Sequence, residues 1–355
     1  MLDQLQAPHI LLVPIPAYGK TSIIRPARKS DVRLIIEFLA QVLTKADGKV
    51  IRIPGIPPMY EYEAFTQTFT RGGHDMIMQC DGVFLGTSPA YDGESLAAFE
   101  EWVVGTLHKP VYAVGPLLRP GYGTEPSPLP PSPRAAEIQT FLDSMRTQHG
   151  DKYPSGPFSG PRATVPEQLE ELVDALTDKK FPFIFCHASP FATVSDALVA
   201  KIKASGVGLS TPWAPQQFVL NHPVTGWFLT HCRHGGIIES LASGVPMICW
   251  PFDGDQPMAA EYLTQNLKVA FHFIEVRTGK NGLRPLYSGR APEGTRVAVG
   301  AEIRAVIDLC RGEAGAAKRK NVERLKGELA EAWAAGGSSQ VAMQAFFAKH
   351  VPGDQ

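Results

Sequence analysis

The sequence has no apolar run near the roughly 18 residues that a membrane-spanning helix requires. Its first apolar run, Ile10–Ile15, follows no basic region and is interrupted by proline, so no secretory signal is expected. The chain ends in KHVPGDQ, where no C-terminal span is expected either. It also lacks an excess of charge of either sign. Its 34 Lys and Arg against 35 Asp and Glu give a net charge of −1, with no basic stripe to hold nucleic acid. The one basic cluster, Lys318–Lys320, is followed by Glu323 and Glu328 and reads as a solvated helix face. Only five cysteines occur (80, 186, 232, 249, 310), scattered and without a CxxC pair. That excludes a disulfide framework and a cysteine-rich zinc site, and predicts buried free thiols in a reducing, cytoplasmic setting. No G-x-G-x-x-G follows the first strand, which argues against a nicotinamide oxidoreductase. Gly19-Lys20-Thr21 has the ending of a P-loop, but Pro14 stands where that motif needs its first glycine.

What remains is an ordinary globular composition, 44% hydrophobic and 19% charged, in 355 residues, enough for two domains. His9–Pro16 reads as a strand and Ser30–Ala46 as a helix with an apolar stripe from Val32 to Leu43. Asp81–Thr87, the helix Gly93–Leu107 and Val111–Val114 form a strand–helix–strand unit ending at Gly115-Pro116. Residues 117–133 hold six prolines and two glycines and read as an extended linker. Helices are predicted over Ala136–His149 and from a Thr164/Glu167 capping box to Lys179. Between them, Tyr153–Pro161 carries three prolines, and a strand there is expected to be distorted or absent. Pro182–His187, Val194–Ser205 and Val207–Thr211 read as strand, helix and strand. Beyond residue 256 come a helix (Gln256–Asn266), a strand (Val269–Ile274) and helices over Arg296–Arg311, Glu313–Ala335 and Ser338–His350.

The stretch Trp213–Gln256 organises the chain. Two short apolar runs, Gly226–Thr230 and Pro246–Trp250, read as buried parallel strands flanking a helix at Gly235–Ser243. Polar residues crowd the C-terminal end of each strand, the edge where open α/β sheets bind ligands. His231 sits where the first strand meets the helix start, a corner suited to a diphosphate.

With Trp213, Pro215, Gln216, Leu220, His222, Phe228, Thr230, His231, Cys232, Glu239, Ser240, Gly244, Val245, Pro246, Trp250, Pro251, Asp255 and Gln256 in fixed spacing, this stretch resembles the signature box of the UDP-glycosyltransferase superfamily, in its plant and fungal form. The resemblance extends more weakly over most of the chain and is nearest to fungal members. It implies a GT-B-like α/β fold, two Rossmann-like domains facing a cleft, with a truncated N-terminal domain. The implied divisions are an acceptor-side domain (1–116), the proline-rich linker (117–134), a nucleotide-sugar domain (135–335) and a C-terminal helix (336–355) that braces the first domain. At about 27 residues per strand–helix unit, residues 1–116 hold roughly four units, where a doubly wound domain has about six or seven. Relative to the family, the missing piece falls between about Ala46 and Ile51.

The resemblance also assigns roles. Trp213, beside Ala214, would stack on uracil, and Gln216 with Glu239 would hold the ribose hydroxyls. His231 would meet a phosphate oxygen, and Asp255 with Gln256 the sugar. Tyr60, Tyr62 and Phe65 are acceptor-side candidates, although loop aromatics packed as core are the commoner case. No cofactor is implied, because the UDP-sugar is a co-substrate, and no metal. Asp253-Gly254-Asp255 has the form of a metal-binding pair, but Asp255 already matches the sugar position of a metal-independent family.

Two departures matter. The family's general-base histidine is replaced by Lys20, whose ordinary pKa of about 10.4 makes it a poor base unless burial lowers it. After His-Cys, relatives have glycine, a variable residue and a polar pair such as Asn-Ser; here stand Arg233, His234, Gly235 and Gly236. The implied activity is inverting sugar transfer from a UDP-sugar to a hydroxyl of a small lipophilic acceptor, weakened by these changes. The alternative is an inactive relative that retains at most UDP-sugar binding.

Overall fold

The computed structural model describes residues 10–13, 48–63, 77–125, 127–152, 156–159, 165–187, 194–252 and 254–351. Lys20, Phe65, Thr164, Asp253 and the helix expected over 30–46 lie outside the described residues. The chain divides into two compact units, residues 1–118 with 327–355, and residues 119–326. The boundary near residue 326 falls inside one helix, Glu313–Glu331.

In the first unit, β1 (Ile10–Val13), β4 (Gly82–Leu85) and β5 (Val111–Ala113) form a parallel sheet in the order β1-β4-β5. A two-residue antiparallel pair, β2 (Val50–Ile51) with β3 (Met59–Tyr60), lies apart from that sheet. The helix α1 (Pro89–Leu107) starts earlier than the sequence predicted, because Pro89 supplies a ready-made first turn after the extended Ser88. Its backbone departs from helical geometry at Asp92, so the regular part does begin near Gly93. Leu96, Phe99 and Val103 are buried against Val83, Leu85 and Ala113. The last helix, Ser338–His350, closes the other side of this sheet. Its Phe346 ring meets Phe84 at 5.1 Å and Tyr112 at 5.4 Å edge-on, and Tyr112 Oη lies 3.0 Å from His350 Nε2. Trp333 Nε1 donates to the carbonyl of Pro116 at 2.7 Å.

The second unit holds a six-stranded sheet in which every pairing is parallel. Its strands are β6 (Gly156–Ser159), β7 (Phe183–Cys186), β8 (Gly208–Thr211), β9 (Phe228–Thr230), β10 (Met247–Cys249) and β11 (Ala270–His272). Their spatial order is β11-β10-β9-β6-β7-β8. Strict alternation splits β7 between two cores. Phe183 and Phe185 pack with Leu172, Trp227, Leu229 and Ile303, while Ile184 packs with Ile138, Leu142 and Val219. Both faces are covered, which explains why β7, β9 and β10 read as continuous, largely apolar runs.

Two sequence expectations need correction. The strand at Gly156–Ser159 exists despite Pro157, and it is central, paired with β7 from Gly156↔Phe183 to Ser159↔Cys186. A proline removes one donor from a ladder, and in a parallel strand that donor serves only one neighbour. Pairing with β9 is limited to Phe158↔Leu229. The helix Pro166–Asp178 is capped by extended Val165, without a side-chain cap, and Pro166 fixes its first turn. Among the described residues, no helix is long and apolar enough to cross a membrane.

Candidate functional site

The chain builds β6, β7 and β8 outward in one direction, then returns to the other side of β6 for β9, β10 and β11. Strand order therefore reverses between β6 and β9. The crevice at the carboxyl ends of such strands is where doubly wound sheets bind ligands. The loop after β9 leads there, and its turn is tight. Cys232 has φ of +68°, a left-handed conformation that is uncommon for a side chain with a Cβ. Complete burial and a hydrogen bond from its N–H to Thr230 Oγ1 at 3.1 Å hold it. The strained turn delivers the chain into the helix His234–Ser243, with Arg233 as its cap residue. The first turn of that helix leaves N–H groups without intrahelical partners and carries the positive end of the dipole.

Glu239 lies in the middle of this helix, half-buried. A second short helix, Gln216–Asn221, brings two amides to it. Gln216 Nε2 donates to one carboxylate oxygen at 2.7 Å, and Gln217 Nε2 donates to the other at 3.0 Å. Gln216 and Glu239, which the resemblance assigns to one ribose, are thus in contact with each other. Trp213, three residues before Gln216, leaves 44% of its surface exposed, unusual for so large an apolar ring. Thr211 Oγ1 donates to the Trp213 carbonyl at 2.8 Å and fixes the backbone from which the ring projects. Ala214 is half-buried against the cluster of Ile138 and Leu142.

The His231 ring lies 5.6 Å from that of Phe252, tilted by 30°. Burial, followed by the neighbouring Arg233 guanidinium, pushes its pKa down to about 4. At neutral pH the imidazole is uncharged and offers a phosphate one N–H, while Arg233, exposed beside it, offers the charge. A Cβ added at Gly235 would meet no atom within 4 Å, and one at Gly236 would sit 3.5 Å from Phe228 Cε1 and 3.8 Å from Gln216 Nε2. Asp255 occupies the cap position of the helix Gln256–Glu261, half-buried and without a side-chain cap bond. Gln256 is buried, and its Oε1 accepts from the N–H of Phe252 at 2.9 Å. One oxygen of the side chain assigned to the sugar is therefore engaged within the protein. In the first unit, the Tyr60 and Tyr62 rings stack on each other at 5.1 Å, and Tyr62 is buried.

Sequence reasoning missed two participants. Gln217 follows the expected Gln216, and only the fold shows that both amides reach Glu239. Tyr122, in the proline-rich stretch, is tied to the carbonyl of Glu239 at 3.1 Å. An aromatic between two glycines is odd for a free linker, and that was the available signal.

Residues 165–281 match the family model of UDP-glucoronosyl and UDP-glucosyl transferases. The chain is similar to the UDP-glycosyltransferase eriJ of Hericium erinaceus, 32% identical over 314 residues, covering 84% of this chain and 62% of that protein. The chain belongs to the UDP-glycosyltransferase superfamily. This superfamily member also resembles an anthocyanidin 3-O-glucosyltransferase of Zea mays, 35% identical over 173 residues, covering 48% of the chain and 32% of the relative. The chain thus spans less than two thirds of the length of these relatives. Its fold is that of solved GT-B members. A Siraitia grosvenorii transferase in complex with UDP superposes with a TM-score of 0.73 at 20% identity, over 98% of this chain and 74% of that one. A Medicago truncatula protein complexed with UDP-glucose gives 0.65 at 22% identity, over 89% and 69%.

Proposed function

We propose that this chain binds a UDP-sugar at the carboxyl edge of its second sheet and transfers the sugar, with inversion, to a hydroxyl of a small lipophilic acceptor. The observation that carries the reading is the Gln216–Gln217–Glu239 cluster at 2.7 and 3.0 Å beside the strand-order reversal. A carboxylate held by amides accepts hydrogen bonds from a ribose diol, and the displaced amides can accept or donate in turn. The half-exposed Trp213 ring suits stacking on uracil. Neutral His231, Arg233 and the helix start suit the diphosphate. In the reaction, the acceptor oxygen forms a bond to the anomeric carbon as the bond from that carbon to the phosphate oxygen breaks. The hydroxyl proton passes to a base, and UDP leaves with its charge stabilised by the same groups. By resemblance the base position is Lys20, which must lose several pKa units to serve, so slow turnover is expected. A cytoplasmic setting belongs to the same proposal, and the five free cysteines suit it.

Lys20 with Gly235 and Gly236 also favours a second reading, a UDP-sugar-binding module without turnover. The two readings separate in one assay: release of UDP from UDP-glucose over a panel of phenols and sterols. Acceptor-dependent release supports the enzyme. Saturable UDP binding with no release supports the module. Neither binding nor release rejects both.

A further inference from the structure

The Gln216–Glu239 cluster depends on two helices keeping their mutual position, and one side chain outside the signature box touches both. The Tyr122 hydroxyl donates to the carbonyl of Glu239 at 3.1 Å. Ser243 Oγ stands 3.0 Å from the Tyr122 oxygen and 2.8 Å from the same carbonyl. Asn221, the last residue of the helix that begins with Gln216, hydrogen-bonds the phenol through its side chain. Its Nδ2 also donates to Ser127 Oγ at 2.7 Å, and Ser127 takes a further bond from Arg119 at 3.2 Å. The Arg119 guanidinium lies 5.9 Å from the Tyr122 ring centroid. Gly123, with φ of +79°, lies so close to the Ala242 carbonyl that any side chain there would collide with it. Burial, with the Glu239 charge beside it, pushes the phenol's pKa up and outweighs Ser243, Arg119 and Asn221, which pull it down, so the hydroxyl stays protonated and remains a donor.

We infer that Tyr122 is a positioning residue for donor binding, pinning the helices Gln216–Asn221 and His234–Ser243 so that Gln216, Gln217 and Glu239 present a fixed carboxylate to the ribose. The inference rests on the UDP-sugar reading above. Residues 119–127 are part of the second unit, so the stretch that looks like a spacer is the outer brace of the donor site. Tyr122 meets no reacting atom in this role and acts only through Glu239.

The test is Tyr122→Phe in the full chain, which keeps the ring and removes the hydroxyl. One neutral hydrogen bond predicts about a fivefold loss of UDP affinity by calorimetry. The loss is expected for UDP and not for 2′,3′-dideoxy-UDP, because only the ribose hydroxyls read the Glu239 carboxylate. In a Glu239→Ala background the same substitution is expected to change nothing. A merely structural role would weaken both nucleotides alike and would add to Glu239→Ala. Hydrogen exchange without ligand gives an independent readout. Amides of 216–221 and 234–243 are expected to exchange faster in Tyr122→Phe, with those of 296–311 unchanged. Unaltered exchange in both helices overturns the inference even if the wild-type chain binds no UDP. Altered exchange without any UDP binding overturns the donor-site reading instead.

Discussion

Replacing Gly235 by Asn and Gly236 by Ser is predicted to strengthen UDP binding by roughly a hundred- to ten-thousand-fold. By resemblance a polar pair belongs at the start of this helix, where its side chains would donate to the diphosphate. Here those donors are hydrogen atoms, although the structure keeps room for them. Space around Gly235 is open to 4 Å, and the closest neighbour of a Cβ at Gly236 is at an ordinary van der Waals distance of 3.5 Å. Neither glycine has a positive φ, so neither substitution strains the backbone. Each charge-assisted hydrogen bond to a phosphate is worth about 1.5–3 kcal/mol, or roughly one to two powers of ten in affinity. Both residues also have higher helix propensity than glycine, a gain of some tenths of a kcal/mol each. Calorimetric titration of UDP into wild type and the double variant measures the difference directly. An unchanged affinity in a variant that unfolds at or above the wild-type temperature would refute the reasoning, because the diphosphate would then not lie at this helix start.

Arg233→Ala is predicted to weaken UDP binding about tenfold and to raise the His231 pKa, though not to its ordinary value, because burial remains the larger cause; histidine NMR titration and calorimetry check the two halves. Restoring glycine at 233 is accordingly expected to lower affinity, since the guanidinium supplies charge that the Gly235–Gly236 pair does not. Because the diphosphate favours the protonated ring, UDP affinity is predicted to rise as pH falls through the raised pKa of the bound state, until the free site titrates near pH 4. The same depressed pKa makes the unfolded chain bind the proton first, so this group's contribution to stability is present above about pH 6.5 and lost as pH falls toward 4, measurable by denaturant midpoints across that window. Gly123→Ala is predicted to destabilise the second unit by about 2 kcal/mol, from a positive φ and a collision with the Ala242 carbonyl, read as a lower denaturant midpoint.

Periodicity and punctuation made much of the second sheet legible. The runs at 183–186, 228–230 and 247–249 are short, largely apolar and bounded by turn residues, and each is a strand in the structure, as is the more polar 208–211. The strand at Gly156–Ser159 was not legible, because local proline chemistry argues against it while two flanking strands supply enough pairing to keep it. The resemblance assigned Gln216 and Glu239 to one ribose, and the structure shows their side chains in contact. Gln217 was not legible, because whether a neighbouring amide turns toward the same carboxylate depends on the angle between two helices. Tyr122 was hidden for a related reason. A composition rich in proline and glycine signals a spacer, and only tertiary contact distinguishes a spacer from a brace.

The central claim is that a uridine diphosphate is held by the Glu239 carboxylate at the point where strand order reverses. Calorimetric titration of UDP into the wild-type chain and into Glu239→Ala tests it most directly. The account predicts one saturable site per wild-type chain and at least tenfold weaker binding in the variant. No heat at millimolar UDP, or equal affinity in the two proteins, would contradict it.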